Sequence, residues 1–546
     1  MGLVRSNRLK RFVALAILTS FGGLVGSYAK SKSPVDRATE EKILLLGNGS
    51  EPKGIDPHLV TGVPESNILN SLFEGLVNYH PSKDATVIPG VAKRWESNED
   101  ASIWTFYLRK EARWSNGDPL TAHDFVYSYK RILTPSFGAR YADFFYIIKN
   151  ARAFHQGEIE DYNEVFIKAL DEHTLQIGLI GPFPHFLLML RHYTWFPLHA
   201  KTIEKFGGLE NRDSQWTQPD HFVGNGPFRL KKWETNSILE VEKSDTYWDR
   251  KTVRLQGIRF FPIEKYSTEE AAFRAGQLHY CYEVPLDRVT FYRTKEPETI
   301  RLDDYFGTYF YRFNTTRPPL DQPKVRKALA LSIDKESIVK YLTLGGERAA
   351  NSYVYPLADY RPIKEIFFDP TEAKRLIAEA GFPNGKGFPR LKILINTAEN
   401  HKIIAESIQK MWKDSLGIEV EIVNQEWKVY LESQNNLRYD ISRSGWIGDF
   451  LDPIAFLKIF RSSSGNNQTG WKNDEYDRLL DQVNQTGNPD QRYSLMQQME
   501  AILLEELPIA PIYFYNRKFL IHPSVVGWYP KLLDHRPYKL VDLKAP

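Results

Sequence analysis

The chain has 546 residues, of which 42% are apolar and 25% are charged, and it holds 34 glycines and 32 prolines. This composition is that of a globular protein, with chain enough for three to four domains at roughly 150 residues each, and it excludes a disordered or fibrous protein. The mean hydropathy of -0.43 excludes a polytopic membrane protein, and the single cysteine excludes a disulfide scaffold and a cysteine-based metal cluster.

The first 29 residues have the three parts of a secretory leader. A basic stretch ends at Arg11, a mostly apolar run of 15 residues follows over 12–26, and Ser27-Tyr28-Ala29 has small residues at the two positions that a signal peptidase reads. This pattern predicts a signal peptide cleaved after Ala29. The alternative is a transmembrane anchor, which is disfavoured because the apolar run is too short to span ~30 Å of hydrocarbon comfortably.

The predicted leader also accounts for the net charge. It contains four basic residues and no acidic one, so cleavage leaves 67 basic and 68 acidic residues, a net charge of -1. Such a chain has no overall electrostatic footprint for nucleic acid. Because no cysteine lies near the cleavage site, lipid anchoring there is excluded. We expect an exported, soluble protein in the periplasm of a diderm bacterium.

Strand-like and helix-like segments alternate along the rest of the chain, without an internal repeat. The apolar run 43–46 predicts a buried strand, and the sequence WTFYLR at 104–109 predicts a second strand. Thr121 begins a capping-box pattern, and the apolar residues after it recur at helical spacing. We therefore expect a helix that starts directly after Thr121.

The clearest helix pattern is FDPTEAKRLIAEAGF. Asp369 can cap this helix, Pro370 suits its first turn, and Gly381 suits the left-handed position at its end. The segments LKILINT, HKIIAESIQKMWKDSLG and IEVEIVNQEW then read as strand, helix and strand. This alternation over about 320–460 predicts an α/β domain with a largely parallel sheet.

Catalytic and nucleotide-binding motifs are absent from the sequence. It contains no HExxH, Gly-x-Ser-x-Gly, GxxxxGK[ST] or GxGxxG pattern. Cys281 is flanked by aromatic residues, which favours a buried structural thiol over a nucleophile. The thirteen histidines show no metal-ligand spacing. We therefore predict a binding protein without catalytic residues, metal or cofactor.

Several segments resemble the bacterial extracellular solute-binding family 5, which serves peptide ABC transporters, and within it the periplasmic oligopeptide-binding proteins. The segment most specific to the family is GVAKRWESNEDASIWTFYLRKEARWSNGDPLTAHDFVYSYKRIL. The others occur in the family's order along nearly the whole chain: GSEPKGIDPHLVTGVPESNILNSLFEGLV, GNGPFRLKKWE, VRKALALSIDKESIV, EAKRLIAEAGF, IVNQEWKVYLE and SGWIGDFLDPIAFL.

The resemblance implies an α/β fold of the type II periplasmic-binding-protein class, with two hinged lobes and an extra third domain. By analogy, the discontinuous lobe I comprises 30–75, 200–306 and 515–546. The extra domain II comprises 76–199, and lobe III comprises 307–514.

Two aspartates compete for the ammonium of a bound peptide. A binder that is indifferent to side chains must use the ligand's ammonium, backbone and carboxylate, and a buried ammonium needs a carboxylate partner. Asp452 precedes Pro453 and an apolar run, which predicts a helix cap. Asp449 has no such local role, although it could stabilise a turn. It matches the family aspartate that binds the ligand's amino terminus. We expect it to be buried between the lobes and unpaired until a ligand arrives.

The resemblance assigns further ligand contacts to the segment before Asp449. It implies that Gly445 and Ile447 offer backbone groups to the peptide and that Trp446 forms a wall of the groove, the alternative for Trp446 being a core indole. Arg443 matches an arginine near the ligand's carboxylate, and a guanidinium suits bidentate pairing with a carboxylate. A structural ion pair is the alternative for Arg443.

Other matched positions lie elsewhere in the chain, and for most of them ordinary core packing is the alternative. Val63 matches a backbone contact of the first lobe, and Tyr141 matches a tyrosine near the ligand's amino end. His401 matches a position implicated in carboxylate binding, with a capping or surface histidine as its alternative. Aromatic positions around the cleft match Tyr305, Tyr513, Phe514 and Tyr515.

The sequence also departs from the family pattern. Residues 276–279 read Gly-Gln-Leu-His where the pattern has Gly-Glu-Ile-Asp. Residues 339–345 lack a lysine at one position where the pattern has a lysine that faces the ligand's carboxylate. Gln434 stands where the pattern has an arginine. The last two changes remove positive charge from the deep end of the expected cleft.

The function that these observations predict is the capture of oligopeptides in the periplasm and their delivery to an inner-membrane permease with its ATPases. We expect a monomer with no nucleic-acid partner and only transient contact with the membrane protein. The nearest alternative is the same fold with a dipeptide, a murein peptide, or a nickel or haem complex as ligand. Alternatives of a different class are a secreted peptidase and a periplasmic chaperone.

Overall fold

The computed structural model describes residues 32–183, 185–357 and 360–545. The predicted signal peptide lies outside these ranges. The helices are α1 Pro34–Glu40, α2 Val63–Leu72, α3 Ala122–Leu133, α4 Ala151–His155, α5 Phe186–Met189, α6 Ala200–Lys205, α7 Tyr266–Arg274, α8 Val289–Lys295, α9 Pro323–Leu331, α10 Lys335–Ile338, α11 Pro370–Glu379, α12 Glu399–Leu416, α13 Trp427–Asn435, α14 Ile454–Leu457, α15 Asp474–Gln485 and α16 Pro489–Glu506.

The strands are β1 Ile43–Gly47, β2 Val77–Tyr79, β3 Val87–Pro89, β4 Ala92–Ser97, β5 Ile103–Leu108, β6 Ile167–Asp171, β7 Thr174–Gly178, β8 Phe228–Glu234, β9 Ile238–Lys243, β10 Gly257–Phe261, β11 Tyr280–Cys281, β12 Ile300–Phe313, β13 Arg348–Ala349, β14 Leu391–Asn396, β15 Val420–Gln425, β16 Ile441–Ile447, β17 Ile509–Ile521, β18 Val525–Val526 and β19 Asp542–Leu543.

The largest sheet contains strands from both the amino-terminal and the carboxyl-terminal parts of the chain. Its strand order is β15-β14-β16-β12-β17-β11-β1-β10-β9-β8, and β13 is added beside β17. Strand β14 is parallel to both β15 and β16, as the strand–helix–strand pattern over 320–460 predicts, whereas β12 pairs antiparallel with β16 and β17. The α/β fold class is therefore confirmed, with mixed strand directions in the sheet.

Two long strands connect the halves of this sheet. Strands β12 and β17 pair with each other along most of their length, from Ile300 with Leu520 to Arg312 with Ile509. The pairing register shifts between Asp304 and Thr308. Such irregularities break the ladder locally and bend the strands. The two strands that connect the halves of the sheet therefore contain a local break in their ladder.

A separate antiparallel sheet, in the order β4-β5-β7-β6, belongs to the segment around 90–180. Helix α3 packs beside this sheet through buried Phe125, Tyr129 and Ile132. One apolar core extends from this sheet through α2 to α14 and α16. A second core lies between β14, β16, α9 and α12.

The local sequence patterns form the elements that they predict. Thr121 caps α3, and Asp124 completes the capping box by accepting the Thr121 N–H at 2.8 Å. Asp369 caps α11 and accepts the N–H of Glu372 at 2.9 Å. Gly381 adopts a φ of 96° just after α11. The side chains of Asp124 and Asp369 thus accept hydrogen bonds from backbone N–H groups that the start of a helix leaves unpaired.

Cys281 is a buried thiol, as the sequence predicts. Its side chain is inaccessible, and its Sγ lies 3.5 Å from the buried carboxyl of Glu269. Burial raises the pKa of the Cys281 thiol well above its ordinary value, and the neighbouring carboxyl raises it further. A thiol that stays protonated is a poor nucleophile.

Candidate functional site

Two adjoining cavities form a groove at the large sheet. The first has a volume of about 160 Å³ and the second about 170 Å³. They adjoin each other, with six lining residues in common, which are Val63, Tyr305, Trp427, Arg443, Gly445 and Ile447. Asp449 lines only the first cavity, and His401 and Lys518 line only the second.

An open strand edge runs along this groove. In β16, Ile441 and Ser442 pair with β14, but the residues from Arg443 to Ile447 pair with β12 alone. The Gly448 N–H donates to the Phe306 carbonyl at 2.8 Å. Because backbone groups alternate sides along an antiparallel strand, the N–H and C=O groups of Gly445 and Ile447 point to the open edge. The expected backbone contacts are therefore available to a ligand.

Gly445 is a glycine for a steric reason. A Cβ atom added to it would lie 2.4 Å from Oη of Tyr515. No real Cβ atom tolerates that distance without movement of its neighbour. The absence of a side chain at this position leaves room for the Tyr515 ring, which lines the second cavity.

Asp449 lies directly after β16 and is buried. Its Oδ1 accepts a hydrogen bond from the Tyr141 hydroxyl at 3.4 Å and lies 3.6 Å from Nε2 of His192. Its Oδ2 lies 2.7 Å from Nζ of Lys458. The expectation that this carboxylate is unpaired is therefore wrong, because Lys458 already supplies a counter-charge. The carboxylate nevertheless borders the first cavity.

The charges around Asp449 are set by burial. Burial raises the pKa of Asp449 above its ordinary value, and the Lys458 ammonium opposes that rise. Burial lowers the pKa of His192 well below its ordinary value, and Lys458 lowers it further. The His192 imidazole is therefore neutral, and Lys458 is the cation that faces Asp449 among the residues that the structure describes.

Asp452 has the local role that the sequence predicts. Its Oδ1 accepts the N–H of Ile454 at 3.0 Å, at the start of α14. Its carboxylate also accepts two hydrogen bonds from the Arg492 guanidinium, at 3.1 and 3.2 Å. Arg492 and the nearby His185 hold the pKa of Asp452 below its ordinary value, although burial alone would raise it. Asp452 is thus a structural carboxylate.

Arg443 lies at the junction of the two cavities. Its guanidinium donates to Oδ1 of Asn396 at 3.1 Å and to Oη of Tyr515 at 2.8 Å. Its Cζ lies 4.8 Å from the ring centroid of Tyr309. Within the described ranges, the hydrogen-bond partners of this guanidinium are neutral and it forms no ion pair, so the structural ion pair that was the alternative for Arg443 is not present there. Its Nε has no hydrogen-bond partner among the residues that the structure describes.

The second cavity contains a further cation that the sequence did not suggest. Lys518 lines it, and its ammonium is paired with the carboxylates of Glu283, at 3.2 Å, and Glu347. Gln434, which lines the first cavity, donates instead to the Tyr430 hydroxyl and the Arg443 carbonyl. Among the described residues, Arg443 and Arg312, which lines the first cavity and donates to Gln468, are cations of the groove without a carboxylate partner, and Arg443 is the one that lines both cavities.

His401 lies in the second cavity as a neutral imidazole. Burial lowers its pKa well below the ordinary value, and the charges of Arg443 and Lys518 lower it further. Its Nδ1 is buried and has no hydrogen-bond partner within the described part of the chain. His401 is therefore neither a helix cap nor a surface histidine, and it can contribute one neutral N–H donor or acceptor.

Most of the aromatic residues predicted for the site line the groove. Trp446 is in the apolar core and also borders the first cavity, with its Nε1 donating to the Ala455 carbonyl at 2.8 Å. Tyr141 lines the first cavity, Tyr305 lines both, and Tyr513 and Tyr515 line the second.

Phe514 does not line the groove. Successive side chains of a strand point to opposite faces, so Phe514 faces away from its two tyrosine neighbours. It packs against Tyr355, with ring centroids 5.5 Å apart. Its inclusion with Tyr513 and Tyr515 was therefore wrong.

The wall opposite β16 comes from the start of α2. Val63 is its first residue and lines both cavities. Glu65, which the sequence analysis missed, is fully buried and lies 3.4 Å from Nε1 of Trp427. A second contact joins the hydroxyl of Ser267 to the Glu399 carboxylate at 2.5 Å. These contacts link α2 to α13 and α7 to α12 across the groove.

The described residues lack two further features, a metal-ligand cluster and a membrane-spanning helix. They contain no group of three or more histidine, cysteine, aspartate or glutamate side chains placed to hold a metal ion. They also contain no helix with the length and apolar character needed to cross a bilayer.

Comparison with known proteins gives consistent relatives. Residues 86–468 match the model of bacterial extracellular solute-binding proteins, family 5 Middle. The dipeptide-binding protein DppE of Bacillus subtilis is 35% identical over 532 residues, covering 96% of this chain and 94% of that protein. The periplasmic oligopeptide-binding protein OppA of Salmonella typhimurium is 34% identical over 538 residues, covering 95% of each chain.

Solved structures agree in fold. The complex of Haemophilus influenzae OppA with the peptide RPPGFSPFR superposes with a TM-score of 0.87 at 32% identity, covering 92% of this chain and 99% of that one. The unliganded open form of the periplasmic murein tripeptide-binding protein MppA has the same identity and covers 92% of this chain and 98% of that one, but its TM-score is 0.61. The described arrangement therefore resembles a peptide complex more than an open form.

Proposed function

Because the chain belongs to family 5 of the bacterial extracellular solute-binding proteins, we propose that it captures oligopeptides through their main chain and amino terminus and delivers them to an inner-membrane ABC transporter. The observation that carries this proposal is the open edge of β16. Its unpaired backbone groups at Gly445 and Ile447 line a groove that has Asp449 at one end and Arg443 in the middle.

The open edge explains how a binder can accept many peptides. An extended peptide that adds to β16 as a further strand forms main-chain hydrogen bonds, which do not depend on its side chains. The cavities on either side then receive the side chains, and water can fill the space that a small side chain leaves. The groove thus recognises the feature that all peptides share.

The ends of the peptide meet opposite charges. Asp449 offers Oδ1 to the amino end, beside the hydroxyl of Tyr141. Arg443 has a buried Nε without a partner, which suits the carboxylate of a short peptide. His401 adds a neutral polar group in the second cavity. Val63, Tyr305, Tyr513 and Tyr515 complete the walls.

Binding would close two hinged lobes over the peptide. In this proposal lobe I comprises 30–75, 200–306 and 515–546, domain II comprises 76–199, and lobe III comprises 307–514. The register shift between Asp304 and Thr308 supports a hinge at this boundary. The contacts of Glu65 with Trp427 and of Ser267 with Glu399 would form on closure.

The proposed location is the periplasm, reached through a signal peptide that is cleaved after Ala29, without a lipid anchor. The closed lobes would present a joint surface to the permease, and the ATPases of the transporter would supply the energy. The chain itself would act as a monomer and would not hydrolyse its ligand, in keeping with relatives that are named as binding proteins.

A dipeptide or a murein peptide is the alternative ligand. The relative DppE is named as dipeptide-binding and MppA as murein tripeptide-binding. The presence of a cavity on each side of Arg443 favours a ligand longer than a dipeptide. A metal or haem complex finds no support in a metal-ligand cluster among the described residues.

A thermal-shift screen tests the proposal. Ligands that bind the folded state raise the melting temperature by mass action. We expect tri- to pentapeptides to raise it more than dipeptides or murein tripeptide at equal concentration, and the peptides to be recovered intact. No shift with any peptide would contradict the proposal. Cleavage products would favour a peptidase, and binding to unfolded protein alone would favour a chaperone.

A further inference from the structure

Lys458 contacts Asp449 from outside the groove. It lies in the 3₁₀ turn Lys458–Phe460 that follows α14, and its Nζ is 2.7 Å from Oδ2 of Asp449. The first cavity is lined by Asp449 but not by Lys458, whereas Lys458 lines a separate cleft of about 400 Å³. The carboxylate therefore lies between the lysine and the space that a ligand would occupy.

Packing holds the Lys458 ammonium in this position. Only 16% of its side chain is exposed, and its Nζ lies 3.4 Å from the ring centroid of Phe144 and 5.2 Å from that of Phe450. A cation over aromatic faces is attracted by their negative ring faces. Asp143 lines the same cleft and interacts electrostatically with Lys458. The ammonium thus has several favourable contacts that it would lose by leaving Asp449.

The part of the groove beside Asp449 would receive the amino end of a ligand and is called the amino-end position. The ion pair of Asp449 with Lys458 changes what this position requires of a ligand. A buried carboxylate without a counter-charge is strongly unfavourable, and it would demand a ligand ammonium. Here the carboxylate is compensated before a ligand arrives. A ligand ammonium would be attracted by Asp449 but repelled by Lys458 behind it. The uncharged N–H of an acylated amino end could still donate to Oδ1 and would meet no repulsion.

We infer that Lys458 is a specificity-determining residue, which makes the amino-end position accept peptides whose amino end is uncharged, such as N-acylated peptides. This inference rests on the proposed function, because it concerns the same groove. It adds a ligand class to that function and names the side chain that admits it.

Calorimetric titration of the full chain with tetra-alanine and with its N-acetyl form tests the inference. We expect the two dissociation constants to lie within about tenfold of each other. If acetylation weakens binding by more than about a hundredfold, the inference is overturned while the proposed function stands. If neither form binds, the proposed function fails and the inference falls with it.

Two variants identify the cause. Lys458→Met keeps an unbranched apolar side chain against Phe144 and Phe450 but removes the charge. The preference for the free amino end, which is the ratio of the dissociation constant of the N-acetyl peptide to that of the free peptide, should therefore rise at least about tenfold. Lys458→Arg keeps the charge and should leave the preference close to that of the unmodified protein. An unchanged preference in Lys458→Met would overturn the role of Lys458. If that variant does not fold, the two titrations of the unmodified protein decide the question.

Discussion

The Arg443 guanidinium donates a 2.8 Å hydrogen bond to the phenolic oxygen of Tyr515, across the intervening strand β12. This bond joins residues from the two strands that flank β12, at the point where the two cavities meet. It fixes the guanidinium without neutralising it, because a phenol carries no charge. A carboxylate that enters the groove would therefore meet a preoriented cation.

Replacing Arg443 by methionine should weaken the binding of short peptides that have a free carboxylate. The loss should be about 10- to 100-fold, or roughly 1.5–3 kcal/mol, because a desolvated charge pair would no longer form. Titration calorimetry with tetra-alanine measures it. The carboxyl-amidated peptide is the matched control and should lose much less affinity. An equal loss for both peptides would mean that Arg443 only supports the shape of the groove.

Replacing Asp449 by asparagine should weaken the binding of peptides that have a free amino end. The substitution leaves the charge of Lys458 uncompensated, and this charge then repels the ligand ammonium. We expect a loss of about 10- to 100-fold for tetra-alanine and a smaller loss for its N-acetyl form. The double variant Asp449→Asn with Lys458→Met removes both charges. It should bind the two peptides with similar affinity, and a large remaining difference would disprove this arrangement of charges.

Replacing Gly445 by alanine should weaken the binding of all peptides to a similar extent. The new Cβ would lie 2.4 Å from Oη of Tyr515, so Tyr515 must move toward the groove or away from Arg443. We expect an affinity loss of about tenfold or more, whatever groups the peptide has at its ends. Gly181→Ala is the control, since its Cβ would be no closer than 3.6 Å to another atom and lies outside the groove. Unchanged peptide affinity in Gly445→Ala would contradict the proposed strand edge.

Glu269 should make the stability of the fold depend on pH. Burial raises the pKa of its carboxyl from 4.5 to about 8. Below pH 4.5 the carboxyl is protonated in both the folded and the unfolded state. As the pH rises toward 8, the unfolded state releases the proton and the folded state keeps it, so stability falls.

The variant Glu269→Gln isolates this effect, because glutamine resembles the protonated acid and does not titrate. Between pH 5 and pH 8 the free energy of unfolding of the unmodified protein should fall by roughly 2–4 kcal/mol relative to the variant. Chemical denaturation at several pH values measures both. Parallel stability curves for the two proteins would show that Glu269 is charged in the folded state.

The sequence predicts those parts of the site that depend on one segment. Asp449, Gly445, Ile447 and Arg443 lie within seven residues of each other, and β16 and the turn after it bring them to the groove in a fixed order. Helix caps are equally local, and Asp452 could be recognised as one from the proline and apolar run that follow it.

Contacts between distant segments could not be predicted in this way. Lys458 follows Asp449 by nine residues, and only the turn after α14 brings its ammonium back to the carboxylate. The pairing of Lys518 with Glu347 depends on tertiary packing over 171 residues of separation. The error at Phe514 was avoidable, since strand alternation alone excludes it from the face that carries Tyr513 and Tyr515.

A crystal structure of the protein with tetra-alanine tests the central claim most directly. We predict that the peptide lies extended along β16, with main-chain hydrogen bonds of about 2.9 Å to Gly445 and Ile447 and its amino end beside Asp449. A peptide bound elsewhere, such as in the cleft that Lys458 lines, or one that leaves the open edge of β16 unpaired, would contradict it.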